Sequence, residues 1–336
     1  MSKLPAPRLK AFLDALPKTE THLHIEGALP YELLQKQDNA QWARPPLSWA
    51  PDYKFGSFAQ FEEELLTMAT QWYISPERYH EAARIVFRRL YEEQHVRYVE
   101  TSFASGMVEF LGLNGQGIID AIKHAAPQGM VVKVFMGIHH AGYNERTRGW
   151  IEESVQWPHL DGIDLHGQET DPVGEWAPRL WEKARANGMI TKAHAGEFAG
   201  PEFVRYAVDD LQVTRIQHGV RAVQDPAFLE ELHQRGIAFD ICPISNVKLD
   251  VVPTMREHPI RRLVDAGFTC TVSTDDPLSF GNQLHEEYQA LHDELDFTVE
   301  ELGELAKNGF RVALIPDELR QRHLDEIDRV VADFAG

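Results

Sequence analysis

Six polar side chains stand where they could act together on one ion or one small molecule: His22, His24, His194, His218, Asp275 and Asp276. In His22-Leu23-His24 the two imidazoles lie two residues apart. On an extended strand they share a face and can reach a single cation. Imidazole nitrogen with carboxylate oxygen suits zinc, iron and similar borderline ions. The alternative is a pair of partly buried histidines satisfied by backbone. Adding His194 and Asp275 from other strand ends makes a set of three histidines and one aspartate. In His194-Ala195-Gly196-Glu197 the small residues permit a tight turn, so that Glu197 projects beside the ion without ligating it. A carboxyl held in a water-poor pocket has a raised pKa and can donate a proton at neutral pH; otherwise Glu197 caps a helix beginning near Pro201. Asp275 and Asp276 are neighbours, so one can face the cation while the other faces a different part of the pocket, or Asp276 can cap the helix at Pro277. His218, before Gly219, can orient or deprotonate a bound water, or be a core histidine bonded to backbone.

Short β-branched or aromatic runs alternate with amphipathic segments that open on Asp or Pro and close on Gly. Asp225-Pro226 starts such a segment, Phe228, Leu229 and Leu232 form its apolar stripe, and Gly236 ends it. Eight strands are predicted: 19–22, 96–103, 131–138, 162–165, 190–194, 215–218, 237–242 and 268–273. Eight parallel strands is the number that closes an α/β architecture, the TIM (β/α)8 barrel, whose active sites lie at the C-terminal strand ends. The six polar residues fall at the ends of strands one, five, six and eight. An open doubly wound sheet fits less well, because no glycine-rich phosphate fingerprint follows the first strand. Residues 30–92, a helical insertion after strand one, are a lid candidate or extra packing. Residues 284–335 read as a helical C-terminal tail, within one domain spanning 1–336.

Composition narrows the partners. The 336 residues are 43% hydrophobic and 25% charged, with 33 Lys plus Arg against 52 Asp plus Glu, a net charge of −19. So acidic a chain is repelled by nucleic acid and by anionic membranes. No run approaches the roughly 18 apolar residues of a membrane span. Leu9, Phe12, Leu13 and Leu16 recur at helical spacing, unlike a signal peptide. Two cysteines, Cys242 and Cys270, fit a reducing, cytoplasmic compartment. Standing 28 positions apart, they cannot build a Pro-Cys-x-x-Cys zinc site. The sequence assigns no oligomeric state.

Six stretches in this order resemble the adenosine/adenine deaminase family of the amidohydrolase superfamily. They are Leu16 to Gly27, Asp164-Leu165-His166-Gly167-Gln168-Glu169, His194-Ala195-Gly196-Glu197, Arg215-Ile216-Gln217-His218-Gly219, Cys242-Pro243-Ile244-Ser245-Asn246 and Ser273-Thr274-Asp275-Asp276-Pro277. The resemblance implies one zinc ion bound by His22, His24, His194 and Asp275. Strand four ends on Leu165-His166-Gly167 rather than on the carboxylated lysine of two-metal relatives. It further implies that Glu197 protonates a purine ring nitrogen and His218 positions and deprotonates the zinc water. Asp276 would hold the other ring, Gly167 would offer a backbone N–H, and His24 and Glu26 would complete the substrate contacts. The implied reaction replaces the 6-amino group of a purine nucleoside by oxygen, with release of ammonia. Adenosine, 2'-deoxyadenosine or a modified nucleoside such as aminodeoxyfutalosine would be the substrate; free adenine is the alternative, and a non-catalytic metal-binding barrel the third. Asp164 to Glu169 resembles the nucleoside branch. Glu26, where nucleoside-specific relatives carry a sugar-contacting Asp, and Cys242 to Lys248 resemble the adenine branch. His139-His140 and Glu100-Thr101-Ser102-Phe103 depart from the family pattern. Lys192 is read as a buried lysine paired to Glu100 or Asp240.

Overall fold

Eight strands pair in chain order, each parallel to the next: β1 (Lys18–His24), β2 (Val96–Ala104), β3 (Val131–His139), β4 (Gly162–His166), β5 (Ile190–Ala195), β6 (Arg215–His218), β7 (Ala238–Ile241) and β8 (Thr269–Val272). The computed structural model describes residues 4–335. The sheet closes where β1 meets the residues just after β8. There Leu23 bridges Asp275, the His24 N–H donates to Asp275 O (3.1 Å), and the Asp275 N–H donates to His22 O (3.1 Å). This is the TIM barrel expected from the alternation. β1 runs two residues further than its sequence pattern suggests, through His24. β7 and β8 are shorter by one residue at each end, although the Ser273 N–H still reaches Ile241 O (2.9 Å).

Helix boundaries follow the capping chemistry. Asp225 accepts from the Phe228 N–H (3.0 Å), Pro226 opens the helix Pro226–Gln234, and Gly236 takes the left-handed φ of +69° that ends the turn. Between β1 and β2 lie the helices Tyr31–Gln37, Phe58–Trp72 and Pro76–Glu92. The second of these is tied to the barrel through Phe61, which stacks on Phe280 at 5.4 Å. Lys248, after β7, adds a donor to the carbonyls of Ser48 and Ala50. At the other end of the chain, Val299–Val312 lies over the seam where strand pairing is sparsest. Asn308 Nδ2 donates to Cys270 O of β8 (3.1 Å), and a Cβ on Gly309 would fall 1.8 Å from Thr19 Oγ1 of β1. The absence of a side chain at Gly309 therefore lets helix and seam meet. No helix among the described residues is long and apolar enough to cross a membrane.

The barrel interior beneath the C-terminal face is charged, where branched aliphatic layers are usual. Lys192 Nζ is ion-paired to Glu100, lies 3.2 Å from Asp240 Oδ2 and donates to Thr21 O (2.6 Å). Arg215 Nη1 donates to Glu100 Oε1 (2.8 Å) and its Nη2 to both oxygens of Asp240 (2.7 and 2.9 Å). Two cations thus meet two carboxylates in a space from which water is excluded. The expected pairing of Lys192 is met twice over. Lys192→Met removes one cation and leaves an uncompensated carboxylate buried. It is expected to cost about 3–5 kcal/mol of unfolding free energy, read from urea melts of metal-loaded protein.

Candidate active site

The bridge that closes the barrel also seats the aspartate. Because Asp275 exchanges backbone hydrogen bonds with His22 and His24, its carboxylate is delivered between their rings. His22 Nε2 and His24 Nε2 stand 3.2 and 3.3 Å from Asp275 Oδ1, and both lie close to His194 Nε2, at 3.1 and 3.2 Å. Four donors at about 2.0–2.1 Å from a tetrahedral ion would be about 3.3–3.4 Å apart. The residues present therefore fit a divalent cation. The remaining ring nitrogens are engaged behind the site, which turns each Nε2 inward. His24 Nδ1 meets Ser102 Oγ (2.9 Å), and His194 Nδ1 lies 3.1 Å from Leu165 O and 3.0 Å from Asp164 Oδ2. His22 Nδ1 approaches Asp240 O at 3.4 Å, while Ser245 Oγ donates to Asp275 Oδ2 (2.7 Å). Burial alone would raise the Asp275 pKa, but the imidazoles of His22 and His24 hold it well below the usual carboxylate range. Burial lowers His22, keeping a lone pair available. Burial would lower His194 too, yet the Asp164 carboxylate outweighs it and raises that ring.

His218 and Glu197 face the same centre from β6 and from the turn after β5. His218 Nε2 is 3.6 Å from Glu197 Oε1 and 3.8 Å from Asp275 Oδ2. Both His218 (φ +62°) and Asp275 (φ +66°) hold left-handed backbone, a conformation costly for residues with a side chain and concentrated at functional sites. Glu197 is buried and its Oε1 has no protein partner. Burial, then the charges of Asp275 and Glu169, push its pKa well above the ordinary glutamate value. The turn that carries it is fixed by Glu169, whose carboxylate accepts the backbone N–H groups of Gly196, Glu197 (3.0 Å), Phe198 and Ala199 (2.8 Å). The helix Pro201–Asp209 starts beyond, with Gly200 and not Glu197 at its cap.

A cavity of about 760 Å3 opens over these groups, walled on one side by Phe58, Phe61 and Leu65 of the insertion. None of its lining residues is Lys or Arg. Asp276 reaches into it with Oδ1 unpartnered and its pKa raised, first by burial and then by Asp275. Its carboxyl lies on Gly27, where a Cβ would come within 1.7 Å of Oδ1. Although Asp276 precedes the helix Pro277–Phe280, its side chain makes no capping bond. Glu26 lines the wall with Oε1 accepting from Tyr79 Oη (2.7 Å) and the Ala104 N–H (3.1 Å); burial raises its pKa against those bonds. Gly167, at φ +98°, passes against the His139 ring. His166 stacks on His24 at 5.6 Å, His139 Nε2 stands 3.6 Å from Glu62 at the mouth, and His140 is turned away onto Asp171 O (3.0 Å).

Eight of the nine residues singled out as candidates, among them Gly167 and Asp276, line this cavity, and the ninth, His22, lies just behind it with Nε2 3.1 Å from His194 Nε2. Sequence reasoning gave no role to Glu169, Gly27, Ser245 or Asn246. They lie inside quoted motifs, but a carboxylate that binds four amides of another loop leaves no mark in local pattern.

A sequence model of the adenosine deaminase family matches residues 17–330. The adenine deaminase of Acinetobacter baylyi is 32% identical, over 95% of this chain and 98% of its own length. That of Hahella chejuensis is 30% identical, over 96% and 98%. Among solved structures, the adenine deaminase of Arthrobacter aurescens superposes with a TM-score of 0.83 at 23% identity, covering 95% of this chain and 100% of that one. A zinc-bound amidohydrolase of Burkholderia ambifaria gives 0.83 at 23%, covering 99% and 96%. The last two establish shared architecture; the family match and the closer sequence relatives establish kinship. A barrel with this donor cluster and these motifs, spanning the family's full length, is a hydrolytic deaminase acting on C–N bonds, and the chain belongs to the adenosine deaminase family.

Proposed function

We propose that this chain, as a single catalytic domain, hydrolyses free adenine to hypoxanthine and ammonia with one zinc ion held by His22, His24, His194 and Asp275. The observation that carries the reaction is the buried Glu197 carboxyl, its pKa pushed well above the ordinary glutamate value chiefly by burial, beside a four-donor cluster matched to one cation. An ion bound there would supply Lewis acidity, enough to lower the pKa of a water toward about 7. A purine carbon bearing an amino group is a poor electrophile until the adjacent ring nitrogen is protonated. Glu197 holds that proton and delivers it from its unpartnered carboxyl. His218, its Nε2 3.6 Å from Glu197 Oε1, orients the attacking water. Asp276, its pKa raised first by burial and then by Asp275, offers a proton to the five-membered ring, and the Gly167 N–H donates to the six-membered one.

The choice of free base over nucleoside rests on two supports. The relatives from Acinetobacter, Hahella and Sphingopyxis, about one third identical along nearly their whole length, all bear the name adenine deaminase. Free adenine also carries an N–H where a nucleoside carries its sugar, and Glu26, pinned by Tyr79 and Ala104, is an acceptor for it. These favour the reading that the sequence placed second. A cavity without lysine or arginine argues against phosphorylated purines such as the N6-methyl-AMP taken by an Arabidopsis neighbour. The buried free thiols Cys242 and Cys270 support a cytoplasmic setting. In a panel of adenine, adenosine, 2'-deoxyadenosine, aminodeoxyfutalosine and AMP, kcat/KM is expected to be at least about 100-fold higher for adenine than for any other. A nucleoside turned over faster would restore the first reading.

A further inference from the structure

Behind His218 runs a chain of buried hydrogen bonds that begins at a group whose donor character is not in question. The backbone N–H of Ile260 donates to His258 Nδ1 (3.1 Å). His258 Nε2 lies 3.1 Å from Asn246 Oδ1, and Asn246 Nδ2 lies 3.1 Å from His218 Nδ1. His258, Asn246 and His218 are all buried, at 3, 0 and 1% exposure. Water is thus a poor substitute for any link.

The direction of every link follows from the first. A peptide nitrogen cannot accept, so His258 Nδ1 must be the acceptor and the ring's hydrogen must sit on Nε2. Burial pushes the His258 pKa down to about 3, so this ring carries one hydrogen and not two. The Nε2–H then needs an acceptor, which places the carbonyl oxygen of Asn246 toward His258 and its NH2 toward His218. The NH2 donates, so His218 Nδ1 accepts with its lone pair, and the ring's hydrogen sits on Nε2.

We infer that Asn246 and His258 are positioning residues that lock His218 in its Nε2–H tautomer, so that it meets the attacking water as a hydrogen-bond donor and not as a base. The inference rests on the proposed reading only in taking His218 to face the reacting centre. The Nε2–H points into the space bounded by Glu197 Oε1 and Asp275 Oδ2, both acceptors within 4 Å. An oxygen there is held by a donor that cannot take its proton in this tautomer; that proton goes to the Glu197 carboxylate left once the ring nitrogen is protonated, 3.6 Å from Nε2, and the hydroxyl proton then leaves with the amine as ammonia. A fixed donor aimed at developing negative charge costs no reorganisation during the reaction. The relay also explains why an asparagine, which donates on one side and accepts on the other, stands between two imidazoles.

The test uses zinc-loaded protein carrying 15N-labelled histidine, with His218 resonances assigned by their loss in His218→Gln. Long-range 1H–15N correlation is expected to show a protonated Nε2 and an unprotonated Nδ1. Asn246→Asp keeps the acceptor toward His258 but presents a second acceptor to His218, drawing the hydrogen to Nδ1. It is expected to reverse the tautomer or protonate both nitrogens. Zinc content should stay at one per chain and KM within about threefold, while kcat falls about 10²–10⁴-fold. In His258→Gln an amide at the position of Nε2 still donates to Asn246 Oδ1. It should retain at least about ten times the kcat of His258→Leu, one hydrogen bond's worth. A wild-type His218 protonated on Nδ1, an Asn246→Asp enzyme of undiminished kcat, or equal loss in both His258 variants would overturn the inference. If Asn246→Asp does not fold, the wild-type spectrum and the His258 pair decide it alone. Absence of turnover with every 6-aminopurine would defeat the proposed reaction, while the spectrum would still report the tautomer.

Discussion

Glu197→Gln is expected to fold, to bind one zinc ion per chain and to lose about 10²–10⁴-fold in kcat. Glutamine matches glutamate in size and can sit within the same turn, since Glu169 grips the backbone N–H groups of residues 196–199 and not the Glu197 side chain. What it cannot do is yield a proton to a ring nitrogen. The buried carboxyl has its pKa raised well above the ordinary value, chiefly by desolvation, so that the acid form persists to higher pH than in an exposed glutamate. An acid that must be protonated to act loses activity as pH rises through its pKa. The wild-type kcat profile should therefore show an alkaline limb that Glu197→Gln lacks. Ammonia release from the variant within threefold of wild type would remove Glu197 from the reaction.

His194→Ala is expected to abolish turnover by removing the cation. His194 Nε2 is within 3.2 Å of both other imidazoles, so its loss removes one of the four donors of the cluster. Zinc affinity should fall by well over about 100-fold, whereas Asp164→Asn, which alters only the support behind His194 Nδ1, should fall by about 10–100-fold. Competition with a chromophoric chelator measures both. Equal losses in the two variants would mean that His194 is held by its surroundings but does not ligate.

Much of this arrangement is legible in the sequence because a barrel is periodic. Asp225-Pro226 and Gly236 punctuate one unit, and the strand that follows can be found without any long-range information. His22, His194, His218 and Asp275 then fall at strand ends, where topology alone brings them to one rim. The supports are another matter. Asn246 is 28 residues from His218 and 12 from His258, and their contacts depend on how the loop after β7 folds over β6. The role of Glu169 is set by four amides some 30 residues away. The segment 284–335 reads as an appendage, yet Gly309 shows that one of its helices completes the wall at the β1–β8 seam. Lys192 lay between these cases: burial of a lysine demands carboxylates, which named Glu100 and Asp240 as partners, but Arg215 as the second cation required the register of β6 beside β7.

X-ray diffraction from zinc-loaded crystals, recorded on both sides of the zinc absorption edge, tests most directly whether these four side chains share a single ion. One anomalous peak is expected per chain, at about 2.0–2.2 Å from Nε2 of His22, His24 and His194 and from Asp275 Oδ1. No peak at that point, or two peaks within the cavity, would contradict the account.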